Sequence, residues 1–380
     1  MSRKVVHVAL NGVTGRMGYR QHLVRSLLSI REQGGVPLDD GTVIYPEPVL
    51  VGRNEQRLRA IAERHGLERW STSLDEVLSD PAVEVYFDTQ VTSAREPALA
   101  QAIAAGKHIY TEKPVAASAA AAFALAEAAK TAGIVHGVVQ DKLFLPGVIK
   151  LRRLVRDGFF GRVLSVRLEF GYWVFDGDGT PAQRPSWNYR AEDGGGIVLD
   201  MFPHWHYLLE ELFGPVSSVY ARKTTHQPRR WDEGGEPYEV TADDAAYAIL
   251  EFASGAVASV NSSWAVRVNR RELLEVQVDG THGSAVAGLR NCAVQHRVST
   301  PMPVWNPDLP DPLDYPSMWT DVPDNTVFDN GFKAQWEQFL RAAATGAPFK
   351  WDLFAGARGV QLAELALQSS DEGRRVEVPA

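Results

Sequence analysis

The chain has a single cysteine, Cys292, in 380 residues. That excludes an intrachain disulfide and a structural zinc site built from several thiolates. It has no long hydrophobic run, since the alanine-rich stretch 115–129 falls short of a bilayer span. It also lacks an excess of positive charge, with 39 Lys and Arg against 47 Asp and Glu. The formal net charge is −8, which argues against bulk attraction to nucleic acid or to an anionic membrane. No internal repeat, heptad run or low-complexity segment occurs. The opening "MSRKVVHVALNG" carries no secretory cleavage pattern, so with one cysteine a reducing cytoplasm is expected. Disorder is not expected either, because 45% apolar and 23% charged residues is ordinary globular usage. The length suggests two domains.

What is present in the first third is an alternation of strands and helices. "VVHVAL" (5–10), "PVLVG" (48–52), "VEVYFDT" (83–89) and "HIYTE" (108–112) are short, β-branched or aromatic, and bounded by turn residues. Helical stretches lie between them, the first with Leu23, Leu27 and Leu28 on one face. Strand–helix repetition at this spacing predicts a parallel sheet with both faces covered.

The first strand runs into Gly12-Val13-Thr14-Gly15-Arg16-Met17-Gly18. This departs from G-x-G-x-x-G, with Thr14 where the second glycine would be. It still offers a tight turn, backbone N–H groups near an anion, and a helix N-terminus facing it. Placed directly after the first strand, it predicts a dinucleotide site, with Gly12, Thr14, Gly15, Arg16 and Met17 as candidate pyrophosphate contacts. An NAD reader would carry an acidic residue after the second strand, whereas this chain has Gly52-Arg53-Asn54. Arginine suits a 2′-phosphate, so Arg53 and Asn54 point to NADP in preference to NAD. Glu55 keeps a ribose-binding alternative open. The insert 31–48 lengthens the first crossover.

Beyond about residue 140 the pattern changes. "GRVLSVRLEFGYW" alternates with Leu164, Val166 and Leu168 on one face. "AAYAILEFASGAVASVNSSWAV" and "LLEVQVDGTHGSAVAG" each predict a strand pair. The expected division is a Rossmann domain over 1–140 and a substrate-binding and oligomerisation domain over 141–380. The second holds a large, mostly antiparallel, open sheet covered by helices on one face. "GGGIVLDMFPHWHYLLEELFGP" (194–215) predicts a helix opened by glycines and closed by Gly214-Pro215. Asp200 and His204, four apart, share a face of it. Aromatics crowd the region before it: Phe170, Tyr172, Trp173, Phe175, Trp187 and Tyr189. Trp173, Trp187 and Tyr189 are the candidate walls of a sugar site, because such rings offer an apolar face with a polar edge. No metal is expected: His204 and His206 fall on different faces of a helix, and no further ligand is evident.

"AGKHIYTEKP", "DGFFGRVLSVRLEF" and "GGGIVLDMFPHWH", behind a Rossmann half, together resemble the Gfo/Idh/MocA oxidoreductases, the glucose–fructose oxidoreductase and inositol dehydrogenase relatives. The resemblance covers nearly the whole chain. It implies an NAD(P)-dependent enzyme moving a hydride between nicotinamide and a secondary alcohol or ketone of a sugar, glycoside or cyclitol. It places Lys113 beside the nicotinamide and the reacting hydroxyl, with Glu112 lining the cofactor. It gives His204 the hydroxyl proton, in preference to His206, and makes Asp200 the residue that orients substrate. Lys142 falls where relatives place a substrate contact. The resemblance also implies a homo-oligomer, formed through the open sheet face. The chain departs from the family at "QVT" (90–92), where T-P-N is common, and at Arg95, where histidine is frequent. Thr89 and Thr92 remain candidate cofactor donors. Tyr207 stands where relatives often have a second aspartate. Two other functions fit the same architecture: an NAD-using glycosidase that oxidises its sugar transiently, and a non-catalytic nucleotide-binding sensor. A scaffold needs none of Lys113, Asp200 and His204, which argues against the sensor.

Overall fold

The computed structural model describes every residue except Met1, Tyr172, Asp176, 302–305, Pro307, 309–312 and Ala380. The chain divides into two units, one of Met1–Phe144 with Asp329–Gln361, the other of Leu145–Phe328 with Leu362–Ala380. The chain first passes from one unit to the other after Phe144. The return of Asp329–Gln361 to the first unit was not expected. Its cause is aromatic packing. On the helix Gly331–Thr345, Trp336 and Phe339 are buried, each with its ring centroid 4.6 Å from that of Tyr110, and Trp336 lies 5.0 Å from Phe87.

The strands of the first unit are β1 (Arg3–Asn11), β2 (Val36–Pro37), β3 (Val43–Val51), β4 (Trp70–Ser71), β5 (Val83–Asp88), β6 (His108–Thr111) and β7 (His136–Val138). Their order is β2-β3-β1-β5-β6-β7, with β4 beside β3. All pairs are parallel except β2 with β3. Val8, Ala9 and Leu10 of β1 are all buried, as expected of a strand covered on both faces. The insert in the first crossover is therefore partly structured. Val36–Pro37 turns back antiparallel onto the start of β3, after Gly34 and Gly35, both at positive φ. The crossover helix itself is a π-helix over Met17–Leu28 that ends in the α-helical turn Ser29–Glu32. Its wider winding alters the expected stripe. Leu23 and Leu27 are buried, but His22 and Ser26 join them while Leu28 does not.

The second unit contains β8 (Val163–Phe170), β9 (Val216–Thr224), β10 (Arg229–Trp231), β11 (Pro237–Glu239), β12 (Ala245–Phe252), β13 (Val257–Ser263), β14 (Leu274–Gly280), β15 (Gly283–Ala287), β16 (Cys292–His296), β17 (Thr320–Asp321) and β18 (Val376–Glu377). One sheet runs β17-β16-β15-β14-β8-β13-β12-β9-β18, and β10 and β11 form a separate ribbon. Every neighbour in the large sheet is antiparallel except β8 with β13. Val166, Leu168, Phe170, Leu250, Val260 and Val276 are buried on one face. The helices Pro146–Arg156 and Ile197–Phe213 pack there, the second against β9, β12 and β13. Leu164, at the start of β8, is exposed rather than continuing that stripe. Among the described residues no helix is long and apolar enough to cross a membrane.

Candidate active site

In the first unit the glycine turn is built by close approach. Gly12 follows β1 at φ +85°, where a Cβ would lie 3.0 Å from the backbone of Thr89 and Gln90. A Cβ on Gly18 would lie 2.7 Å from the Gly12 carbonyl oxygen and 2.8 Å from the Thr89 methyl group. Glycine at 12 and 18 is therefore a packing requirement. Gly15 donates its N–H to the Gly12 carbonyl at 3.0 Å, and Gly15 and Arg16 are exposed at the helix start. Thr14 and Met17 are partly exposed beside them. The helix carries no acidic residue in its first turn. An open glycine cradle at an uncompensated helix N-terminus fits the pyrophosphate of a dinucleotide.

A pocket of about 290 Å³ opens beyond the carboxyl ends of β1 and β3, where ligands of parallel α/β sheets bind. Asn11, Gly52, Arg53, Thr72, Gln90 and Gln101 are among its walls. Arg53 is exposed. The side-chain oxygen of Asn54 is engaged locally. It accepts the Arg57 N–H at 2.9 Å and caps the helix Glu55–His65. Glu55 pairs along the same helix with Arg59. Thr92 begins the helix Thr92–Ala104, and Thr89 is half-buried, its N–H bonded to the Asn11 carbonyl.

Three residues that sequence reasoning did not assign to the site organise it. Asp88 ends β5 with no exposed surface. It accepts from Tyr86 Oη at 2.7 Å, from the Gln90 N–H at 2.9 Å and from Arg95 Nε at 3.2 Å. Arg95, also buried, donates to the carbonyl of Gln90 at 2.6 Å and to the carbonyl of Pro114. Asn11 donates to Tyr86 Oη and to Gln90 Oε1. A buried arginine needs a counter-charge, and here Asp88 supplies it. An arginine in place of the family's frequent histidine thus ties the loop after β5 to the turn after β6. The one sequence signal was an aspartate at a strand end with an arginine seven residues on.

The turn after β6 carries Glu112, Lys113 and Pro114, with a cis bond between the last two. Glu112 is buried. Burial pushes its carboxyl upward, but the hydrogen bond from His22 and the charges of Lys113 and Arg95 outweigh it, so the group is held below the usual carboxylate range. Lys113 is half-buried, and its N–H donates to Glu112 Oε2 at 3.1 Å. Lys142 pairs with Asp141 at 3.6 Å.

In the second unit Pro203 does not interrupt the helix Ile197–Phe213. Its start is held by Asp243, whose Oδ2 accepts the Val198 N–H at 2.9 Å. His204 is buried, with Nδ1 2.7 Å from Tyr207 Oη. Asp200 is half-buried and pairs with Arg184 Nη2 at 2.5 Å. That guanidinium also donates to Asn188 Oδ1 at 2.8 Å and lies 4.2 Å from the ring centroid of Trp264. His206 is buried and faces Glu210 at 3.4 Å.

The aromatic candidates separate. Trp173 and Trp187 are 45% and 44% exposed. Tyr189, expected to line a substrate wall, has no exposed surface. Its ring lies against Trp264 and under Arg230, and its hydroxyl donates to the Phe175 carbonyl at 3.2 Å. It is a core residue supporting that segment. Tyr172 lies outside the described residues.

Two family models match the chain: the oxidoreductase family with an NAD-binding Rossmann fold over residues 7–139, and the GFO/IDH/MocA C-terminal domain over 148–286. A D-xylose dehydrogenase of Paenarthrobacter nicotinovorans is 57% identical over 379 residues, 99% of this chain and 98% of that one. A levoglucosan dehydrogenase of Pseudarthrobacter phenanthrenivorans is 28% identical, covering 64% of this chain and 66% of its own. A solved levoglucosan dehydrogenase in complex with NADH and levoglucosan shares the fold, with a TM-score of 0.81, 23% identity, and 99% and 100% of the two chains covered. The glycine cradle, the Glu112–Lys113–Pro114 turn and these matches together place the chain in the Gfo/Idh/MocA oxidoreductase family, with an NAD-binding Rossmann domain at its N-terminal end.

Proposed function

We propose that this protein is a sugar dehydrogenase that oxidises a ring carbinol of D-xylose, or of an aldose of like shape, with NADP(H) preferred over NAD(H). The observation that carries the reading is the Glu112–Lys113–Pro114 turn. It is held on one side by the Glu112 carboxylate and on the other by Arg95, and it presents a half-buried lysine at the carboxyl end of β6. The 57% identity to a D-xylose dehydrogenase over nearly the whole chain supports the choice of sugar.

A bound nicotinamide supplies the hydride acceptor. Lys113 hydrogen-bonds the sugar oxygen as it becomes an oxyanion, where a fixed cation is most effective. His204 takes the hydroxyl proton, a step suited to an imidazole because histidine's unperturbed pKa lies near neutrality. Asp200, steadied by Arg184, orients the sugar. The carbinol carbon loses a hydride, its hydroxyl a proton, and a carbonyl results. Trp173 and Trp187 offer exposed ring faces to the sugar, and Lys142 is a further polar contact. Gly12, Thr14, Gly15, Arg16, Met17, Thr89 and Thr92 surround the dinucleotide.

Arg53 beside Thr72 on the pocket wall, with no acidic residue among the described residues that line it, supports a 2′-phosphate reader. The second unit supports self-association. Tyr220, Tyr247, Ile249 and Val257 are exposed on neighbouring strands of one sheet face. Light scattering on the purified protein checks this, and a monomer at micromolar concentration would exclude it. The substrate assignment is tested by incubating the enzyme with D-xylose and each nucleotide and identifying the oxidised sugar by NMR. Failure of D-xylose and related aldoses to reduce either nucleotide would sink it.

A further inference from the structure

His22 has no exposed surface and lies among rings, 4.3 Å from Phe87 and 5.2 Å from Phe332 between centroids. An imidazole buried in apolar surroundings is costly unless both nitrogens find partners. Both do. Trp336 Nε1 donates to His22 Nδ1 at 3.0 Å, and His22 Nε2 lies 2.9 Å from Glu112 Oε1.

The indole nitrogen can only donate. Nδ1 must therefore present its lone pair, and the ring proton sits on Nε2, directed at the Glu112 carboxylate. A tautomer is fixed by a residue 314 positions away in the chain. The other oxygen of Glu112 accepts the Lys113 N–H at 3.1 Å. A directed series thus runs from the helix Gly331–Thr345 through the first crossover helix to the backbone of Lys113. Each bond fixes the orientation of the next group. Core filling alone does not call for such a series, because apolar residues of the same volume would fill the space without needing partners. A fully satisfied buried network instead holds one geometry.

We propose that His22 and Trp336 are positioning residues for the reaction. They fix the Glu112 carboxylate, which fixes the backbone of Lys113 and so the direction in which its ammonium group points. The inference rests on the role given to Lys113 above.

The test compares His22→Leu, His22→Gln, Trp336→Phe and Lys113→Met with wild type by three readings. The first is the ¹⁵N signature of the His22 ring. Wild type should show Nε2–H with a bare Nδ1, and Trp336→Phe should lose that single state. The second is the dissociation constant for NADH and NADPH, expected within about two-fold of wild type in the His22 and Trp336 variants, since neither side chain belongs to the Gly12–Met17 cradle or lines the nucleotide pocket. The third is kcat per bound nucleotide with D-xylose. It should fall about ten-fold in His22→Leu and Trp336→Phe, the scale of one misdirected buried hydrogen bond. His22→Gln keeps a donor for Glu112 and should recover most of that loss.

A merely structural role would lower the melting temperature and leave kcat per bound nucleotide unchanged. That result in both His22→Leu and Trp336→Phe overturns the inference. A proton found on Nδ1 in wild type also overturns it, without any activity measurement. If Lys113→Met is inactive while the His22 and Trp336 variants turn over normally, the inference fails and the role of Lys113 stands. If Lys113→Met is fully active, it is the role of Lys113 that fails. Should His22→Leu not fold, Trp336→Phe and His22→Gln carry the comparison.

Discussion

Tyr207 Oη lies 2.7 Å from Nδ1 of His204, one turn along the same helix, and both side chains are buried. A phenol can donate or accept, so this bond survives whether or not the imidazole carries an extra proton. A carboxylate at the same place could only accept and would favour the imidazolium. Tyr207→Phe is expected to lower kcat about ten-fold with nucleotide affinity unchanged. Tyr207→Asp is expected to move the acid limb of the pH–rate profile to higher pH. Steady-state profiles of the two variants check this, and superimposable profiles would rule out contact between Tyr207 and the working histidine.

Arg184 reaches Asp200 and Asn188 while stacked on Trp264. Lysine keeps the charge but loses the planar fork and the stacking. Arg184→Lys should therefore raise KM for the sugar about ten-fold, with a smaller effect on nucleotide binding, if Asp200 orients the sugar. Kinetics with the sugar varied at saturating nucleotide give the answer, and an unchanged KM would contradict that role.

Arg53 is the candidate 2′-phosphate reader on the wall of the nucleotide pocket. Fluorescence titration should show NADPH bound about ten-fold more tightly than NADH, with Arg53→Ala abolishing the difference. Indifference to Arg53 would mean that the 2′ position is read elsewhere.

Two histidines link stability to pH. His108 Nδ1 accepts the Val135 N–H at 3.0 Å, and His136 Nδ1 accepts the Leu353 N–H at 3.2 Å. Burial lowers the pKa of each below the usual 6.5. The unfolded chain therefore binds protons first as pH falls. The stability these groups contribute is complete above about pH 6.5 and is lost as pH drops toward their folded values. Melting temperatures between pH 7.5 and 5.5 should fall more steeply for wild type than for a His108→Gln, His136→Gln double variant. Equal slopes would contradict the assignment.

Much of this was legible from local pattern. The strand–glycine turn–helix opening, the lysine turn after β6 and the helix bearing Asp200 and His204 are each written in fewer than about 25 consecutive residues, within reach of periodicity and turn chemistry. The antiparallel character of the second sheet was visible in its alternating strands. What escaped was set by distance along the chain or by burial. Trp336 meets His22 across 314 positions, and Arg95 meets the Pro114 carbonyl across 19. No local rule predicts the return of Asp329–Gln361 to the first unit. Tyr189 has the composition of a sugar-stacking residue, and only its neighbours Trp264 and Arg230 reveal it as core.

The most direct measurement is D-xylose-dependent nucleotide reduction by wild type and Lys113→Met, with nucleotide affinity measured on both proteins. Wild type should turn over, while the variant should lose about a thousand-fold in kcat and bind nucleotide within about two-fold of wild type. A Lys113→Met enzyme keeping more than about a tenth of wild-type turnover would contradict the role given to this lysine.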